Sequence, residues 1–185
     1  MSENFAVHKC HRGRKIGATA AEMPVALWLM LIMAFPLLIL ATSSLRFALF
    51  WNASREAAQR AAQCQTFQDD SAVGQSSVNV ADFWAAKAVN AWGGIPLTNP
   101  PNVYIVQTNV NSGVRTVFPS RTKLVNVADT ENCIYDIQVE LNGNIEPIIT
   151  FPGANMLGNV PGLTGPYPVV VQSQYNCEVP QGLNK

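Results

Sequence analysis

An unbroken apolar run from Met23 to Leu45, without one charged side chain, dominates the pattern of the chain. At 1.5 Å rise per helical residue its roughly 23 residues reach about 34 Å, enough for a hydrocarbon core of about 30 Å, so the run predicts a transmembrane helix. It is longer than the apolar core of a secretory signal. Thr42, Ser43 and Ser44 lead straight into Arg46 and not into a small-residue cleavage site, so the segment is expected to stay in the mature protein. From Arg46 to Gln65 the helical texture continues. Phe47, Phe50, Trp51, Ala53, Ala57, Ala58, Ala61 and Cys64 can share one broad face, with Arg55, Gln59, Arg60 and Gln63 on the other. One helix is therefore expected to cross the membrane and run on beyond it, with Phe47, Phe50 and Trp51 as an aromatic belt at the interface.

The polar stretch from Phe67 to Ser77 breaks this pattern. Val80 to Trp92 then places Phe83, Trp84, Ala88 and Trp92 at helical spacing before a Gly93-Gly94 stop, which predicts a shorter second helix. After Ile95 the texture becomes alternating and β-branched. Strands are expected at Val103–Val110, Val114–Phe118, Cys133–Leu141, Ile145–Phe151 and Val169–Tyr175. Asn111-Ser-Gly113 and Asn142-Gly-Asn144 are the hairpin candidates between them. Phe151 to Gly165 is a turn-rich loop whose glycines lack the strand-to-helix setting of a phosphate cradle. The expected fold class is α+β: a long N-terminal helix, a short second helix and an antiparallel sheet of four or five strands, one face of which the long helix covers.

Charge adds an orientation. Residues 1–17 hold Lys9, Arg12, Arg14 and Lys15 against Glu3, which leaves eight basic and eleven acidic residues, of twelve of each, for the remainder. Basic residues before the span keep an arm in the cytoplasm, so the N-terminus is expected inside and the C-terminal domain outside. The division is a leader over 1–17, the helix and its extension over 18–66, and an exported domain over 67–185. Neither part carries the basic stripe with interleaved aromatics that phosphate binding needs, so nucleic acid is not an expected partner.

Glu22 sits at the mouth of the apolar run. A carboxylate costs about 2.5 to 3.5 kcal/mol at mid-membrane on insertion scales, less near the interface, so a compensating charge is expected. Cleavage after Gly17 would supply one, because Ala18 would then carry an ammonium one helical turn from Glu22, beside the positive end of the helix dipole. A packed neighbour's ammonium would serve equally. The plainer reading is a headgroup-level glutamate on an ordinary anchor, with Gly17 a linker residue.

The basic leader, the segment Gly17 to Glu22, the apolar helix and the extension Asn52-Ala-Ser-Arg-Glu-Ala-Ala-Gln-Arg-Ala-Ala62 together resemble TadE-like pseudopilins, minor components of the tight-adherence branch of type IV pilus systems. The likeness covers roughly residues 12 to 66. It departs at Met23-Pro24, where family members often carry an aromatic or apolar packing residue and a branched aliphatic run; proline there suits the first turn of a helix and would bend a helix that began earlier. Pro36 lies mid-span, where a kink is expected. The resemblance implies cleavage by a prepilin peptidase after Gly17, a pilin-like exported domain, and packing among other pilin-like subunits and the pilus assembly machinery. Gly17, Ala18 and Glu22 would be the processing and assembly residues. The place implied is the inner membrane, in a single pass, and a surface pilus. The alternative is a permanently anchored extracytoplasmic binding module that enters no filament.

Cys64, Cys133 and Cys177 would face an oxidising compartment in this topology, and three is an odd number. A Cys133–Cys177 bridge would close a loop of about 45 residues, worth roughly 4 kcal/mol by loop-closure entropy, with Cys64 an equal candidate partner for either. Both histidines, His8 and His11, belong to the arm, so the exported domain has no imidazole for Ser-His or Cys-His pairs or for ordinary zinc sites. Asp69-Asp70 reads as a solvated turn. His8, Cys10 and His11 offer no fourth ligand or outer shell. No catalytic constellation, metal site or cofactor is expected.

Overall fold

The computed structural model describes residues 14–68, 76–92, 95–146 and 165–185. His8, Cys10, His11, Asp69, Asp70, Gly93, Gly94 and the loop 151–164 lie outside them, as does the expected strand beyond Glu146. The chain divides into two compact units, Met1–Leu38 and Ile39–Lys185, and a single helix, α1 (Arg14–Ala62, 49 residues), contributes to both.

In the first unit α1 is rich in Leu, Ala and Met, good helix formers, and no glycine interrupts it between Ala18 and Ala62. It begins at Arg14, so Pro24 lies inside the helix and not in its first turn as the sequence suggested; α1 is continuous through Pro24 and Pro36. The helix is long and apolar enough to cross a membrane.

In the second unit α1 changes character. Phe50, Ala53, Ser54, Ala57, Ala58, Ala61 and Ala62 are buried, whereas Phe47 and Trp51 of the expected face stay exposed. The last turn tightens through Gln63 N–H to the Arg60 carbonyl (3.3 Å) and Cys64 N–H to that of Ala61 (3.3 Å). Carbonyls at the helix end are also met from other elements: Ser77 Oγ donates to Ala61 O (2.8 Å) and Glu178 N–H to Ala62 O (3.0 Å).

Helix α2 (Ser77–Trp92) starts three residues before the expected Val80. Ser76 caps it, its Oγ accepting from the Asn79 amide at 3.4 Å. Its buried face is made of Val78, Ala81 and Ala85, while Phe83 points out, 55% exposed. Trp84 is partly buried against the core, with Arg60 (5.1 Å) and Lys87 (4.4 Å) over its ring.

Strands β1 (Asn102–Asn109), β2 (Arg115–Val117), β3 (Cys133–Ile145) and β4 (Tyr167–Asn176) form one antiparallel sheet in the order β2-β1-β3-β4. The Asn111-Ser-Gly113 turn joins β1 to β2 as expected. Asn109 Oδ1 accepts from the Asn111 and Ser112 amides (3.0 and 2.9 Å), and Gly113 takes φ +69°, cheap for glycine. Asn142-Gly-Asn144 is no turn: β3 runs through it for 13 residues. A β-carbon at Gly143 would meet Phe50 Cζ at 2.9 Å and Ile95 Cγ2 at 3.0 Å, so this glycine admits the helix to the sheet.

Alternation along β3 then separates two faces. Tyr135, Ile137, Val139 and Leu141, with Val103, Ile105, Val169 and Val171, join the α1 residues in one core. On the opposite face Asp136 and Glu140 accept from Gln174 (2.6 Å) and Gln172 (2.6 Å), and Asn102 also donates to Glu140 (3.0 Å). That face is an amide and carboxylate lattice suited to water.

Candidate functional site

The residues singled out for processing and assembly, Gly17, Ala18 and Glu22, all fall within α1, with Ala18 and Glu22 one turn apart along it. Beyond them the apolar stretch is bare: Trp28 is 69% exposed, Met30 74% and Leu40 68%. A bare apolar surface of this extent exceeds what a water-soluble monomer commonly leaves uncovered. Two hydroxyls in the run are served by their own helix. Thr42 Oγ1 donates to Ile39 O (3.0 Å) and Ser44 Oγ to Leu40 O (2.8 Å). Such internal bonding spares a polar atom the cost of lying unpaired in hydrocarbon.

Past Leu45 the helix meets the domain. Arg46 donates to the carbonyl of Glu146 at the end of β3, and Ser54 Oγ to Val139 O (3.3 Å). The α1 stripe that lies over the sheet consists mainly of alanines, small enough to let backbones approach closely. Only Phe50 fills space there, against Gly143.

Two concavities are present in the domain. One, of about 320 Å³, lies beneath the segment 124–129 and is lined by Gln107, Phe118, Leu124, Val127, Asp129 and Tyr135. Its two ionisable groups are both engaged. The Asp129 carboxyl is held below the usual carboxylate range by hydrogen bonds, first from the Asn132 side chain and then from backbone amides. The Tyr135 hydroxyl accepts from Asp129 N–H at 3.1 Å, and burial pushes its pKa up. The pair, with Asn132, builds a turn. The other crevice, about 230 Å³, lies between Trp51 and Arg55 of α1 and Gln172–Tyr175 of β4. Ser173 Oγ is buried there without a hydrogen-bond partner among the described residues. Among the described residues no three His, Cys, Asp or Glu side chains group as a metal would require.

Cys64, Cys133 and Cys177 are all free thiols, and the register bears on the Cys133–Cys177 pair considered from the sequence. Cys177 N–H bonds to Tyr135 O at 2.9 Å, which leaves Cys133 as its diagonal neighbour, and diagonal residues on one face stand about 7 to 8 Å apart, beyond the usual disulfide span. The Cys133 sulfur instead accepts from Gln107 Nε2 at 3.0 Å. The bond from Glu178 N–H to Ala62 O draws the ends of β4 and α1 together, and with them Cys177 and Cys64, one of the pairings the sequence left open. Their positions just past the end of a helix and of a strand were the available signal.

No family model matches the chain, and no curated protein or solved structure matches it.

Proposed function

We propose that this chain is a minor pilin-like subunit or assembly factor of a tight-adherence type IV pilus, acting by helix packing and not by catalysis. One observation carries the reading: a single 49-residue helix whose apolar half is bare and whose other half is built, through small residues, into an α+β domain. That division suits a shared helical core with domains arrayed around it. In the reading, α1 spans the inner membrane once, the basic arm stays in the cytoplasm and the domain is exported. A prepilin peptidase cuts after Gly17, and Glu22 sets register by pairing with an N-terminal ammonium, its own or a neighbour's. The resemblance of residues 12 to 66 to TadE-like pseudopilins supports it, as does the absence of histidine after His11.

The experiment is the intact mass and N-terminal sequence of protein recovered from membranes of a host carrying a prepilin peptidase. A start at Ala18 is expected. Glu22→Ala is expected to insert normally yet to assemble poorly, and unchanged assembly would remove the register role. The cleft of about 320 Å³ favours a second reading, a permanently anchored binding module, which a start at Met1 would bring forward.

A further inference from the structure

The C-terminal end of α1 and the end of β4 are fastened side by side. Glu178 N–H donates to Ala62 O (3.0 Å), and Gln63 Nε2 donates to Glu178 Oε1 (3.3 Å). Phe67 and Gln68 amides donate to Lys185 O (3.0 and 2.9 Å), closing the same corner from the other side. Cys177 directly precedes Glu178 and Cys64 lies two residues beyond Ala62, so the Glu178–Ala62 bond sets the two cysteines on adjoining segments of one corner. They differ in access: Cys64 is partly exposed, with Ser77 beside its sulfur, while Cys177 is buried at 5% exposure.

We propose that Cys64 and Cys177 are an oxidation site, joined after export into a disulfide that locks α1 to β4, with Cys133 left as the single free thiol of the domain. The oxidant is a disulfide of the thiol–disulfide oxidoreductase class. The accessible Cys64 thiolate attacks one oxidant sulfur and expels the other as a thiolate, giving a mixed disulfide. Cys177 then gives up its proton and attacks the Cys64 sulfur, and the second oxidant thiolate departs and takes that proton. Two protein thiols are oxidised and one disulfide is reduced to two thiols, so electrons and protons balance.

The surroundings fix the pace. Burial pushes Cys64 up, and it pushes Cys177 up to about 11, with Asp136, Cys64 and Glu178 adding to the rise at Cys177. Both are therefore thiols at neutral pH, and uncatalysed bridging is slow. Below these pKa values the thiolate fraction grows about tenfold per pH unit, so bridging by a small disulfide should quicken by about that factor per unit between pH 7 and 9. The inference rests on the proposed export for its oxidant in cells, though not for its geometry.

The test uses the full chain in two arms. Protein from acid-quenched membranes is alkylated and digested without reduction; in parallel, reduced protein in detergent is treated with oxidised glutathione and mapped in the same way. A peptide joining Cys64 to Cys177, with Cys133 alkylated, is expected in both, unchanged in Cys133→Ser and lost in Cys64→Ser. A Cys133–Cys177 peptide, or all three thiols alkylated after glutathione, overturns the pair. Bridging by glutathione with all thiols reduced in cells upholds the pair and overturns the export on which its oxidation depends.

Discussion

Gly143 is the residue at which sequence and structure part most sharply. Between two asparagines it reads as a turn, because Asn-Gly is a strong local signal. Its reason lies about ninety positions away, in the Phe50 ring that would stand 2.9 Å from an added β-carbon. Gly143→Ala separates two opposed effects. Reduced chain entropy favours alanine by about 0.5 to 1 kcal/mol, and overpacking a tight core costs about 1 to 3 kcal/mol. Phe50 is 2% exposed and cannot swing into solvent, so the second effect should win by about 1 to 2 kcal/mol. Denaturant unfolding reads the difference, and a stabilised variant would mean that the helix approaches the sheet less closely than described. The left-handed Gly113, by contrast, was legible, because its turn is local.

At the scale of elements, the length of α1, the position of α2 and the β1–β2 hairpin could be read from periodicity and turn residues. The buried sides could be read less well. Phe83 and Trp51 helped to mark the helical faces in the sequence, yet the helices bury alanines, Ala57, Ala58 and Ala61 at 0% exposure and Ala81 and Ala85 likewise. Close approach selects small residues, and which stripe does the approaching depends on the partner surface. Ala58→Leu should therefore lower stability by about 1 to 3 kcal/mol, whereas Gln59→Leu, one position round on the exposed side, should stay within about 0.5 kcal/mol. Equal melting of the two variants would show that the alanine stripe is loosely packed. The start of α2 was missed by three residues because Ser76, its cap, lay in a stretch read as polar loop.

For the whole molecule, the sequence announced an apolar helix joined to an α+β domain but not the strand order β2-β1-β3-β4, since pairing Asn102 with Glu140 requires a connection that no local signal encodes. It left Cys64 an equal candidate for Cys133 and Cys177 and did not choose the Cys64–Cys177 pair. A bridge there closes a loop of roughly 110 residues, worth about 4 to 5 kcal/mol if it acts through the unfolded chain, so the oxidised protein should unfold at clearly higher denaturant than the reduced one. Equal midpoints would mean that strain cancels the gain. The order of strands has another consequence. Residues 136–140 of β3 are paired on both sides, by β1 and by β4, while Val125 stands 95% exposed in a loop. Deuterium should enter those five amides slowest of all, because reaching them requires the whole domain to open, and fast uptake there would contradict the central place of β3. Their uptake rate is thus a clock for the domain as a unit, readable in an intact membrane without melting anything.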